Sequence, residues 1–96
     1  MKVIYEPDAF EEVQQASEWY LVEAGERIAS EFLQEIEAKC ALLIQYPKMG
    51  TPGVNQMRSM PLKVFPYTLH YKVETDVIRL FAFAHQKRRP GYWRKR

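Results

Sequence analysis

Two adjoining stretches, residues 65–73 and 77–84, constrain what this 96-residue chain can fold into more than anything else in it. Phe65, Tyr67, Leu69, Tyr71 and Val73 alternate with Thr68, His70 and Lys72, the period-two pattern of a strand with one buried face. After the tight-turn signal Thr75-Asp76, the run Val77-Ile78-Arg79-Leu80-Phe81-Ala82-Phe83-Ala84 is apolar at nearly every residue, as expected of a central strand covered on both faces. A two-residue turn predicts a hairpin that sets Val73 against Ile78, Tyr71 against Leu80, Leu69 against Ala82 and Tyr67 against Ala84. That register makes one face wholly apolar, whereas a slip of one residue would mix the faces. The reverse face then carries Thr68 near Phe83, His70 near Phe81 and Lys72 near Arg79. Phe81 and Phe83 are thereby expected on a face that so small a domain has nothing left to cover. They are either half-exposed surface or the seat of a partner segment.

The first half reads as helices. Phe10, Val13, Ala16 or Ser17, and Tyr20 recur at helical spacing behind Pro7, with Asp8, Glu11 and Glu12 placing negative charge near the helix start. Gly25 punctuates, and Ile28, Ala29, Phe32, Leu33, Ile36, Cys40, Leu43 and Ile44 mark a second apolar stripe that ends at Tyr46-Pro47. Trp19 falls at the edge of the first stripe and is expected to pack. Val3-Ile4-Tyr5 is a short strand able to join an edge or the central strand, and residues 54–63 hold a further strand interrupted near Pro61. The expectation is an α+β fold of one domain over residues 1–96, in the order β-α-α-β-β-β. A helical hairpin of about 8–46 packs on a mainly antiparallel sheet of about 54–85, followed by a basic tail, 86–96.

Charge divides the chain at the same place. Residues 1–46 hold three basic groups against ten acidic ones, a net of −7, and residues 47–96 hold eleven against two, a net of +9. The overall +2 conceals this polarity, which points to an acidic or polyanionic partner for the second half. A single cysteine excludes an internal disulfide and any all-cysteine zinc site. No apolar run approaches the roughly 18 residues of a membrane helix, and the first residues do not read as a signal peptide, so the expected compartment is the cytoplasm and no membrane partner is expected.

Strong catalytic motifs are absent: no phosphate-cradling glycine loop, no His-Glu-x-x-His pair, no acidic metal cluster. His70 and His85 stand on different strand positions, His85 beyond the end of the expected pairing, and they read as surface or capping groups. Cys40, on the second apolar stripe, reads as a small core hydrophobe. No cofactor and no metal are expected. The informative segment is residues 85–96, in which six of the last ten residues are basic and Tyr92 and Trp93 are interleaved. Cations with aromatic rings between them suit polyanion contact, charges meeting phosphate or carboxylate and rings stacking. The alternative is a solvated tail with Tyr92 and Trp93 folded back over the sheet edge.

Phe65-Pro66-Tyr67-Thr68-Leu69-His70-Tyr71-Lys72-Val73, followed by Ile78 to Ala84 and then His85-x-x-Arg88-x-Pro90-x-x-Trp93-x-x-Arg96, resembles the RelE/ParE superfamily of bacterial toxins. Pro7 through the helical hairpin to Tyr46-Pro47-x-x-Gly50 fits it too, so the resemblance covers nearly the whole chain. These are toxins of type II toxin–antitoxin modules, often described as plasmid stabilisation proteins. RelE-like members cut messenger RNA on the ribosome without a metal, using cations and often a tyrosine; ParE-like members poison DNA gyrase with no known hydrolytic chemistry of their own.

The RelE pattern has a strand arginine where this chain has Thr68, a second arginine where it offers Lys87 or Arg88, and a closing tyrosine near Trp93, with Tyr92 one residue off. Arg58, Lys63 and Arg79 could stand in for the missing cation. The ending resembles the ParE branch more, which implies gyrase as target, with the ribosome and its messenger RNA, or direct nucleic-acid binding, as alternatives. On that branch His85, Arg88, Arg89, Tyr92, Trp93 and Arg94 would form the target-facing surface. Either branch implies a hetero-oligomer with a cognate antitoxin whose disordered tail folds on the toxin, docking at Phe81 and Phe83 or at the sheet edge.

Overall fold

A computed structural model describes residues 1–89 and 91–96. Pro90 of the terminal motif lies outside the described residues, as does the side chain of Lys95. Strand β1 (Lys2–Tyr5) leads into helices α1 (Pro7–Ala24) and α2 (Glu26–Gln45). Four strands follow: β2 (Thr51–Pro52), β3 (Arg58–Pro61), β4 (Tyr67–Glu74) and β5 (Val77–His85). The five strands form one mixed sheet in the order β1-β5-β4-β3-β2, with β1 parallel to β5 and the other pairs antiparallel. The expected α+β plan is therefore found, with the two-residue strand β2 added at its far edge. No helix is long and apolar enough to cross a membrane among the described residues.

Each helix is positioned by a few residues of the expected stripes. Pro7 occupies the first turn of α1, where its missing N–H costs nothing, and Ala9, Val13 and Ala16 turn inward. Gly25, at φ 92°, is the whole connection between the helices, and its N–H caps α1 at the carbonyls of Tyr20 and Leu21. On α2, Ala29, Phe32, Ile36 and Leu43 are buried, while Leu33 and Ile44 lie on the exposed shoulder. Two expectations are corrected here. Phe10 is half exposed against Tyr5, and Trp19 is 58% exposed, touching Tyr20 edge-on without entering the core.

The core is aromatic. Phe32 makes edge contacts with Phe65, Tyr67 and Phe83, and Tyr67 stacks on Phe83 with ring centres 4.7 Å apart. Tyr71, fully buried, uses its hydroxyl to donate to the Pro47 carbonyl at 2.8 Å and to accept from the Gly50 N–H at 3.0 Å, tying the loop after α2 to the sheet.

The β4–β5 register departs from expectation at one point, and the departure matters. Glu74 to Tyr71 pair with Val77 to Leu80 as the two-residue turn requires, but His70 then faces Ala82, Leu69 faces Phe83 and Tyr67 faces His85. Phe81 is an extra residue, a β-bulge, which exchanges the faces of everything beyond it. Phe83 is consequently a core residue, 2% exposed, and not part of a reverse-face patch. Ala82 and Ala84 take the reverse face in its place, and His85 forms the last rung of the ladder instead of lying past it. The one-sided apolar pattern is preserved by the bulge, which spares β5 from having to present a large side chain at both 81 and 83 on the open face.

Candidate functional site

Residues 91–96 do not run into solvent. They form a short 3-10 turn over Tyr92–Lys95 that lies across the reverse face and the end of β5. Trp93 stacks on the His70 ring, 3.7 Å between centres and tilted by 23°, above the small side chains at 82 and 84, which are buried. The Nδ1 atom of His70 is 3.0 Å from Ser59 Oγ on the neighbouring strand. Burial holds the His70 imidazole neutral, pushing its pKa from 6.5 to about 4, against a smaller opposing pull from the Glu12 charge.

The hinge of this arrangement is Glu12, on the first helix. Its carboxylate accepts the Tyr92 hydroxyl, two guanidinium N–H groups of Arg96 at 2.9 and 3.1 Å, and the backbone N–H of Phe83 at 3.1 Å. Arg96 also donates to the Phe81 carbonyl at 3.0 Å and pairs with Asp8 at 3.2 Å. Burial alone would raise the Glu12 carboxyl, but the hydrogen bonds from Arg96, Tyr92 and Phe83 together hold it below its ordinary value. The Tyr92 hydroxyl is pushed up, first by burial and then by its bond to Glu12. Sequence patterning placed Glu12 only among the negative charges near the helix start. The visible signal for its role was the opposite charge of the two halves, which has to be neutralised somewhere.

The residues expected to meet a target therefore divide. Tyr92 and Trp93 turn inward as anchors, the fold-back alternative of the sequence reading, and His85 stands edge-on to Tyr67 while its Nδ1 accepts the Lys87 N–H. Lys87, Arg88, Arg89 and Arg94 are exposed, with the Arg88 guanidinium 3.9 Å above the Tyr92 ring. Lys87, Arg88 and Arg89 follow β5 directly and Arg94 lies on the terminal turn, so exposed cations flank the anchors in the chain on both sides.

The groups considered for bond chemistry are dispersed by contrast. Arg58 donates to the Lys48 and Gly50 carbonyls at 2.8 Å, holding the loop after α2. Arg79 is paired with Glu74 at 2.9 Å and Glu6 at 3.3 Å, and the Glu74 bond raises its pKa further. Lys63 lies against α2, its backbone N–H donating to Glu35. Of the six, Arg88 meets Tyr92, with Lys87 next to it in the chain. Phe81 keeps the reverse-face position expected of it, half-buried with Lys72 Nζ 5.6 Å from its ring centre, without Phe83 beside it. Cys40 is partly buried against the Tyr5 hydroxyl, 3.7 Å from Sγ, and burial pushes its thiol pKa up, away from reactivity. Among the described residues no group of three or more His, Cys, Asp or Glu side chains could hold a metal ion.

His70 makes the fold acid-sensitive in a defined window. Below pH 6.5 an unfolded histidine gains a proton that the folded one refuses until about pH 4, so stability falls as pH is lowered across that interval. Allowing for the partial exposure of the ring, a loss of about 1 kcal/mol between pH 7 and pH 5 is expected, to be read by urea denaturation. A His70→Gln chain is expected to lose that dependence; an unchanged pH profile would assign it to another group.

A helical hairpin on a mixed five-stranded sheet, closed by an anchored C-terminal turn with exposed cations around it, is the architecture the RelE/ParE resemblance implies. The comparisons with known proteins agree. The family described as "ParE toxin of type II toxin-antitoxin system, parDE" matches residues 3–90, and the chain belongs to that family. Among solved structures, a chain of the chromosomal ParDE toxin–antitoxin system from P. aeruginosa superposes with a TM-score of 0.76 at 19% identity. The match covers 88% of this chain and 95% of that one. No curated protein matches by sequence.

Proposed function

We propose that this chain is a toxin that inhibits DNA gyrase through its exposed cationic end and is neutralised by a cognate antitoxin. Membership of the ParE family supports the toxin–antitoxin role. The observation that carries the choice of target is the disposition of the cations. Arg58 and Arg79 are consumed by structural partners, and the Tyr92 hydroxyl is bound to a carboxylate and raised in pKa. A general base must reach its proton with a suitable pKa, and the Tyr92 hydroxyl, held by Glu12 and raised, is poorly suited to that part. Four exposed cations on either side of the anchored Tyr92 and Trp93 suit contact with a large acidic or DNA-bearing surface instead.

Gyrase supercoiling measured with purified chain is expected to fall, or cleaved gyrase–DNA complex to accumulate. Translating ribosomes given the same concentrations are expected to leave their messages uncut. Codon-linked cleavage with untouched gyrase would overturn the reading in favour of the ribosome-dependent nuclease. Tight binding to naked DNA with a steep salt dependence, and no effect on either machine, would overturn it in favour of a nucleic-acid-binding module.

A further inference from the structure

The outermost strands of the sheet, β1 and β2, differ in what they offer. Strand β2 is two residues long and includes Pro52, which has no N–H to give another strand. Strand β1 is a regular strand of four residues. Its even-numbered positions face β5: the Lys2 N–H donates to the Asp76 carbonyl at 3.2 Å, and the Glu6 N–H, just past the strand, to Leu80 at 2.9 Å. Alternation turns the N–H and C=O groups of Val3 and Tyr5 outward, and no strand lies beyond them among the described residues. Side chains alternate with the same period. Val3 and Tyr5 pack on the core, while Lys2, Ile4 and Glu6 take the reverse face, where Glu6 pairs with Arg79 at 3.3 Å.

We infer that a second copy of this chain pairs along β1, antiparallel about a two-fold axis at Ile4, so that two five-stranded sheets become one continuous sheet. The segment Lys2-Val3-Ile4-Tyr5-Glu6 is its own complement in that register. Val3 faces Tyr5 of the partner subunit, and because both present outward groups, each such pair exchanges its two main-chain bonds. Lys2 falls opposite Glu6 of the partner subunit in a non-hydrogen-bonded pair, the kind with the closer side chains, and symmetry makes that ion pair twice. Other registers lose this match. An axis at Val3 sets Lys2 against Ile4; an axis at Tyr5 sets Glu6 against Ile4 and brings in Pro7, which has no N–H. An axis between two residues would oppose an outward group to an inward one.

A lysine on an edge strand ordinarily discourages pairing, but here the two-fold supplies its counter-charge. So short a ladder falls below the area of a standard interface, even with the half-exposed Phe10 beside Tyr5, and a dissociation constant of about 10–100 μM is expected. Because the copies run antiparallel, their cationic ends point away from each other and both stay free. The self-pairing stands apart from the choice of target.

Sedimentation velocity of the full chain over about 1–200 μM tests it, beside Lys2→Glu, Glu6→Lys and Val3→Pro. The parent is expected to pass from monomer to dimer as concentration rises, with slowed amide exchange at Val3 and Tyr5. Lys2→Glu and Glu6→Lys each set like charges opposite one another, and each is expected to associate at least about tenfold more weakly. An equimolar mixture of the two should regain the dimer, since each variant then meets its opposite charge at both ends of the ladder. Val3→Pro removes an outward N–H and no bond to β5, so it should lose the dimer and keep the parent's circular dichroism. If Glu6→Lys fails to fold without its bond to Arg79, Lys2→Glu and Val3→Pro decide the matter between them. A parent that stays monomeric at the highest concentration overturns the inference. So does a dimer that Lys2→Glu and Val3→Pro leave unchanged, which would place the contact elsewhere, and a mixture of folded charge variants that stays monomeric overturns the register.

Discussion

Glu12→Ala is expected to lower stability by about 3 kcal/mol and to release residues 91–96 from the sheet. The carboxylate is 15% exposed and collects four hydrogen bonds from Arg96, Tyr92 and Phe83. Its loss removes a charge-assisted pair worth more than a neutral bond, and leaves the Phe83 N–H and the Tyr92 hydroxyl to find water in a partly buried place. For a domain of this size, 3 kcal/mol is a large share of typical total stability and corresponds to a fall in Tm of about 12–20 °C. Glu12→Gln keeps an acceptor for Phe83 but loses the charge, so about half the loss is expected. In a Trp19→Phe background the released Trp93 should shift its emission to the red as it leaves His70.

The sign with pH follows from the same bonds. The Glu12 carboxyl titrates below its ordinary value of 4.5 in the folded chain, so its contribution is complete above that value. It disappears as pH falls through the lower folded value, and parent and Glu12→Gln should converge there. A stability change under 0.5 kcal/mol at pH 7 would mean that Glu12 is a bystander to the fold-back.

Most of this architecture was legible in residue patterning because it is set by local periodicities. The alternation from Phe65 to Val73, the two apolar stripes, Gly25 between them and the Thr75-Asp76 turn each specify one element. The bulge at Phe81 was not legible. Phe81-Ala82-Phe83-Ala84 alternates as well for either face, and choosing between them required knowing that Phe83 could stack on Tyr67 beneath Phe32. The exposure of Trp19 was missed for a related reason: a helix 18 residues long has two shoulders, and spacing alone does not say where the sheet ends.

The site divides along the same line. A cationic end with aromatic residues among the charges was visible, but whether Tyr92 and Trp93 faced a partner or the domain depended on partners 80 and 23 residues away, Glu12 and His70. Long-range side-chain pairs leave no period in a sequence. Only the opposed charges of the two halves hinted that they would meet.

That division between anchors and free cations yields the sharpest functional expectation. Replacing Lys87, Arg88, Arg89 and Arg94 together by alanine is expected to raise the concentration needed for half-inhibition of gyrase at least about 100-fold, since four interface cations at roughly 1 kcal/mol each exceed two decades of affinity. Stability should change by less than about 1 kcal/mol, because all four are exposed and only Arg88 touches a ring. Raising the salt concentration should weaken the parent chain and hardly affect the variant, whose attraction has already been removed. Trp93→Ala supplies the contrast. It keeps every cation but takes away the stack on His70, so it should lose stability and inhibition together. If the quadruple variant inhibited as well as the parent while Trp93→Ala did not, the target would be meeting the aromatic anchor, and the cations would be serving solubility alone.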